Sequence, residues 1–171
     1  MSKPVQQNPR QETPLRDLTT YRGTRAVRHP ECDYRGDELI HVTIRAFAGK
    51  PFADADVARS ACENVEFYCA KLGYELFGYC LMPDHLHVLL SPKNSGHSLA
   101  VWLDRYKSYT THLFMKRTRQ AHLWQRSAHD HICRDGETAE VVLTYIVNNP
   151  VRAALVECWR DWAWTKVFIR I

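Results

Sequence analysis

Gly78-Tyr79-Cys80-Leu81-Met82-Pro83-Asp84-His85-Leu86-His87-Val88-Leu89-Leu90 is the stretch whose reading decides the fold. Two short apolar runs flank Met82-Pro83-Asp84, a turn signal, so they read as successive strands, Tyr74–Leu81 and His85–Leu90. In the second run, alternation sends His85 and His87 to one face and Leu86 and Val88 to the other. A strand holds the two imidazoles side by side, which makes a good platform for a cation. The H-x-H pattern alone equally describes a partly buried strand that shows two histidines.

Upstream, Leu39 to Arg45 is short and β-branched and reads as a strand, broken by Gly49 and Pro51. Apolar residues then recur at helical spacing from Asp54, a plausible N-cap, to Leu72, where Gly73 stops the helix. Downstream, a helix starting near Ser98 runs through Trp102 and Tyr106 to about Lys116. A loop holding Leu123-Trp124-Gln125 follows, then a possible fourth strand at His129–Arg134. A helix over Glu137–Val147 and a short one from Pro150 to Val156 come next, the latter with proline at a tolerated first position. The Trp159, Trp162 and Trp164 segment reads as a closing tail docked on the body. The order β-α-β-β-α-β-α predicts an α+β, ferredoxin-like fold. It has a mainly antiparallel four-stranded sheet, helices packed on one face, and a further C-terminal helix. That fold serves many functions, so the site must carry the argument.

A chain of 171 residues with 45% hydrophobic content suits one domain. Residues 1–37 are polar and proline-punctuated and read as a flexible basic arm, leaving 38–171 as the domain. No C-x-x-C pair occurs among the six cysteines, which argues against a zinc knuckle and for reduced thiols of a cytoplasmic protein. The N-terminus lacks the apolar run of a signal peptide, and no stretch is long enough to span a bilayer. The net charge of +4 is weak evidence for a polyanionic partner. Arg105, Lys107, Lys116, Arg117 and Arg119 concentrate it on one segment, which reads either as a solvated helix face or as a nucleic-acid contact. Tyr106 and Tyr109 in the same segment can stack on bases or pack inward.

On the last long helix, Tyr145 and Asn149 are four apart and share a face. By periodicity alone Tyr145 reads better as a core residue, with Asn149 closing the helix. His129-Asp130-His131 repeats the H-x-H pattern around a charged residue and reads as a surface or site rim. His41 lies on the first strand and either borders the same site or is a satisfied strand histidine.

The segment from Gly78 to Leu90 closely resembles the HUH segment of REP-associated tyrosine transposases. Tyr145-Ile146-Val147-Asn148-Asn149-Pro150-Val151-Arg152-Ala153 resembles their Y-I-x-x-N-P-V-R-A block, Leu123-Trp124-Gln125-Arg126 a third block, and His41–Arg45 their first strand. The similarity covers about residues 38–165 in the right order. Ala154 departs from it, standing where glycine is common, as do Ala128 and Trp164-Thr165-Lys166.

The resemblance implies that Tyr145 is the nucleophile and that His85, His87 and Asn149 hold a divalent cation, Mg2+ or Mn2+. It implies nicking and rejoining of single-stranded or hairpin DNA, of the repeated extragenic palindrome kind, through a 5′-phosphotyrosine, by a monomer or a homodimer. Arg105, Tyr106, Lys107, Lys116, Arg117 and Arg119 are the expected DNA contacts. The rival readings are a non-catalytic single-stranded nucleic-acid-binding domain of the same fold and a metal-dependent hydrolase using Asp84.

Overall fold

The computed structural model describes residues 36–171. Among these residues the order is β1 (Ile40–Arg45), α1 (Ala55–Leu72), β2 (Glu75–Leu81), β3 (His85–Ser91), α2 (Leu99–Thr118), β4 (His129–Ile132), α3 (Ala139–Val147), α4 (Asn149–Arg152) and β5 (Thr165–Val167). All but the last two residues of the expected N-terminal arm lie outside the described residues.

Local chemistry sets the helix limits. The Asp54 carboxylate accepts from the N–H groups of Asp56 and Val57, and Gly73 closes α1 at φ 72°, where a Cβ is disfavoured. Thr138 caps α3 by accepting from the Val141 N–H. The Arg117 guanidinium bridges Asp54 and Asp56 and so ties the end of α2 to the start of α1.

The sheet is antiparallel at every pairing, in the order β4-β1-β3-β2-β5. The first four strands give the expected ferredoxin-like pattern: β3 lies between β1 and β2, and β1 lies between β3 and β4. The sheet gains a fifth strand that the four-strand expectation lacked. Thr165–Val167 pairs with the open edge of β2, and the Trp162 indole N–H donates to the Leu81 carbonyl at 2.9 Å. The tail is thus docked, as expected, and covers an edge that would otherwise present unpaired backbone.

Strand alternation divides the core in two. Ile40, Val42, Ile44, Leu86, Val88 and Leu90 point to the side covered by α1 and α2, where they pack with Val65, Trp102, Tyr106 and Phe114. On the other side, Cys80 and Leu89 pack with Val142, Leu143 and Ile146 of α3. Helices α1 and α2 therefore share one face of the sheet, as expected, and α3, the further helix towards the C-terminus, lies on the other. Gly78 sits where α3 and β5 approach β2 most closely; a Cβ there would lie 2.7 Å from Leu143 Cδ2 and 2.9 Å from the Lys166 carbonyl oxygen. No helix of the described residues is long and apolar enough to cross a membrane.

Candidate functional site

The sheet face that carries α3 also carries the polar residues of β1, β3 and β4. Cross-strand pairing sets Arg45 opposite His85, Thr43 opposite His87, and His131 opposite His41. Paired residues share a face, so His41, Thr43, Arg45, His85, His87, His129 and His131 form one polar field beside α3.

At its centre, His85 Nε2 and His87 Nε2 stand 3.1 Å apart. Each ring is held from behind. His85 Nδ1 lies 2.7 Å from Asp84 Oδ1, and His87 Nδ1 lies 3.0 Å from His41 Nε2 and 3.1 Å from Thr43 Oγ1. A carboxylate on Nδ1 favours the tautomer whose Nε2 keeps a lone pair, and fixes the ring as outer partners of metal-ligating histidines do. In the tautomers that carry the proton on both Nδ1 atoms, the two Nε2 lone pairs converge. A separation of about 3 Å is that of two nitrogens on neighbouring positions around one cation with bonds of about 2.1 Å.

Asn149 is buried, and its amide Nδ2 donates to the carbonyls of Ile146 (2.9 Å) and Tyr145 (3.2 Å). Those bonds anchor the amide through its nitrogen and leave Oδ1 as the atom able to ligate. Two imidazole nitrogens and an amide oxygen form a neutral donor set compatible with a divalent cation. By their chemistry the donors of His85, His87 and Asn149 suit such an ion, and the structure sets the two histidine nitrogens 3.1 Å apart.

Burial also keeps His41 and His87 uncharged. It pushes His41 down to about 3, with the His131 charge acting the same way and Glu137 opposing. It holds His87 well below the usual imidazole range, helped by the neighbouring His41, His85, Arg152 and Arg45. A neutral imidazole is the ligating form.

Tyr145 is half-buried on α3, its ring edge-on to His41 with centroids 6.2 Å apart. The Arg152 guanidinium lies over that ring, 4.4 Å from its centroid, and its Nη2 reaches the hydroxyl at 3.5 Å. Tyr145 thus packs against the apolar cluster under α3 and also borders the polar field through His41 and Arg152. Arg152 is seven residues after Tyr145, two helical turns on, and that spacing is a signal from which it could have been found. His41, Thr43 and Arg45 carried a similar signal in the alternation of β1.

The basic segment behaves otherwise. Tyr106, expected at the DNA, is fully buried; it stacks on Trp102, and its hydroxyl donates to the Ala61 carbonyl at 3.3 Å. It cannot stack on bases from there, and Trp124 is buried as well, donating to Thr110 Oγ1 at 2.8 Å. Lys107 Nζ donates to the carbonyls of Gln125 (2.6 Å) and Arg126 (2.9 Å) and so pins the loop rather than standing free. Arg117 is paired with Asp54 and Asp56, and Arg119 ends α2 in the left-handed region at φ 64°. Arg105 and Lys116 are exposed. All six belong to a helix, or to its end, on the side of the sheet away from His85, His87 and Tyr145. Arg45 and Arg152 lie near enough on the histidine side for their charges to act on His87.

Known proteins share this arrangement of elements. A solved REP-associated tyrosine transposase bound to a REP hairpin superimposes with a TM-score of 0.66 over 82% of each chain, at 16% identity. A solved protein of Deinococcus radiodurans R1, provisionally titled a transposase, superimposes with a TM-score of 0.51 over 70% of this chain and 96% of its own, at 17% identity. A Haemophilus influenzae protein provisionally named a REP-associated tyrosine transposase is 28% identical over 108 residues. That match spans 57% of this chain and 61% of the relative. The family described as "Transposase IS200 like" matches residues 38–149, from the first residues before β1 to Asn149, and the chain belongs to that family of transposases.

Proposed function

We propose that this chain nicks and rejoins single-stranded DNA through a covalent bond to Tyr145. The observation that carries the reading is the meeting, on one sheet face, of the paired His85 and His87 Nε2 atoms with Tyr145 and its Arg152 cover. The Tyr145 phenolic oxygen forms a bond to phosphorus, and the bond from phosphorus to the 3′ oxygen breaks. The phenol proton leaves to solvent, and the departing 3′ oxygen becomes a hydroxyl. One phosphodiester replaces another, so no water or nucleotide triphosphate is consumed, and the reverse reaction can join a new end.

His85, His87 and Asn149 would hold a divalent cation, whose chemistry is to polarise a phosphate oxygen. Asp84, His41 and Thr43 keep the two rings turned inward. Arg152 and Arg45 offer positive charge to the phosphate, and Arg152 favours the tyrosine oxygen as it loses its proton. A hairpin single strand of the repeated extragenic palindrome kind is the substrate class, supported by the hairpin bound to the structural relative.

The test uses the full chain, labelled hairpin DNA and Mn2+, read on a denaturing gel. Tyr145→Phe should lose the covalent adduct while retaining DNA binding. The substitution removes a single hydroxyl and keeps the ring, so thermal unfolding alongside the gel should show a folded protein that has lost the stability of one hydrogen bond, about 1 kcal/mol. An adduct that survives Tyr145→Phe, or maps to Tyr109 on the far side of the sheet, would overturn the reading.

A further inference from the structure

Beyond the β3 histidines, three side chains at the end of β4 converge in a way that the cleavage reading does not use. His131 and Cys133 are two apart and face the same way, and the Cys133 N–H continues the ladder by donating to the Leu39 carbonyl at 2.8 Å. The chain then reverses. The Glu137 N–H donates to the Arg134 carbonyl at 2.9 Å, with Gly136 at φ 91° inside the turn. The reversal brings Glu137 back over the strand. Its Oε2 lies 2.8 Å from His131 Nε2 and accepts from the Arg134 N–H at 2.8 Å. The imidazole nitrogen, the thiol sulfur and a carboxylate oxygen all lie within 4.8 Å of one another, and all three residues are half-buried. Among the described residues, no other trio of His, Cys, Asp or Glu converges so closely.

We propose that His131, Cys133 and Glu137 form a second cation site, selective for zinc or an ion of similar softness and distinct from the pair on β3. Thiolate, imidazole and carboxylate are the donor types of zinc sites, with bonds of about 2.0 to 2.3 Å. Around a tetrahedral ion such donors stand roughly 3.3 to 3.8 Å apart, so side-chain rotations that open the 2.8 Å His131–Glu137 pair by about 0.5 Å and bring the sulfur in by up to about 1 Å complete the set. A turn closed by a His–Glu pair would account for His131 and Glu137 but not for the sulfur beside them. Magnesium and manganese prefer oxygen donors, so the thiol separates the two sites by metal class. Three protein ligands leave the fourth position to water. On coordination the Cys133 proton leaves to buffer.

The position gives the site a consequence. It lies on the connection between β4 and α3, just before the Thr138 cap, and its occupation clips the edge strand to the start of the helix that carries Tyr145. His131 is the register partner of His41, which touches His87. The site therefore stands one histidine away from the β3 pair, yet shares no ligand with it.

Cobalt(II) is the probe, titrated into the metal-free full chain and followed by absorption. Wild type should show a thiolate-to-cobalt charge-transfer band in the near ultraviolet that saturates at one equivalent. Cys133→Ser should abolish the band. His131→Ala and Glu137→Gln should each weaken cobalt affinity at least tenfold. Glu137→Gln keeps the side-chain volume and an oxygen for the Arg134 N–H, so it holds the turn should the other variants unfold. His85→Ala/His87→Ala should leave the band in place, which keeps this result independent of the cleavage reading. A wild type without the band, a band that survives Cys133→Ser and so belongs to another thiol, or one lost with His85 and His87, would overturn the proposal.

Discussion

Gly78→Ala tests whether the spacing between β2 and α3 is what places Tyr145. The new methyl would sit 2.7 Å from Leu143 Cδ2 and 2.9 Å from the Lys166 carbonyl oxygen, against about 3.5 to 4.0 Å for relaxed carbon contacts. Neither neighbour yields easily. Leu143 is fully buried between α3 and the sheet, and the Lys166 carbonyl belongs to β5, whose Val167 pairs directly with Gly78. Overpacking of this kind costs about 1–3 kcal/mol. Alanine recovers about 0.4–1 kcal/mol by restricting the unfolded chain, since Gly78 does not adopt a positive φ. The net loss should be about 1–2 kcal/mol, or roughly 2–8 °C in Tm for a chain of this size.

The functional effect should exceed the stability effect. Leu143 lies two residues before Tyr145, so relief by outward movement of α3 carries the tyrosine away from β3, and a misplacement of about 1 Å can cost on the order of a hundredfold in rate. The assay pairs thermal unfolding with single-turnover adduct formation on hairpin DNA, with affinity measured separately. Adding Leu143→Val to Gly78→Ala should restore part of both losses, because it trims one of the two obstructing groups. A Gly78→Ala protein with wild-type Tm and wild-type adduct rate would refute the reasoning outright.

Two further predictions concern stability. Ala154 occupies the left-handed region at φ 52°, where an L-residue is strained by about 1–2 kcal/mol; Ala154→Gly should therefore raise the urea midpoint by up to about 1 kcal/mol equivalent after the greater entropy of unfolded glycine is counted, and a lowered midpoint would contradict it. Burial depresses His41 to about 3 and His87 well below 6.5, so above pH 6.5 neither histidine affects folding, whereas below it the unfolded chain takes up protons that the folded chain refuses. The metal-free protein should then lose about 1.4 kcal/mol per pH unit for each of the two as pH falls from 6.5 towards 5. Urea unfolding at pH 7, 6 and 5 would measure this, and a flat profile would show that the two rings are not buried neutral.

Much of the architecture was legible because it is local. Period-two alternation in 85–90, helical spacing between the Asp54 cap and Gly73, and the Ser98 start each reflect backbone geometry within a few residues. The side-by-side emergence of His85 and His87 follows from the same pleat. What alternation leaves open is which element covers which face, because that depends on partners tens of residues away. Tyr106 and Tyr145 both sit on helices among apolar neighbours; only packing buries one behind Trp102 and turns the other toward His41. The strand at Thr165–Val167 is three residues long and exists because the β2 edge is there to pair with it. His41 and Thr43 come to brace His87, and Glu137 comes to lie over His131, only through strand register and a chain reversal. By itself, then, the sequence determined the first four strands and the long helices, the side-by-side histidines of β3 and the tyrosine block. The tertiary structure decided the partners, because hydrogen bonds and burial across the sheet are set by distance in space, which a pattern along the chain does not encode.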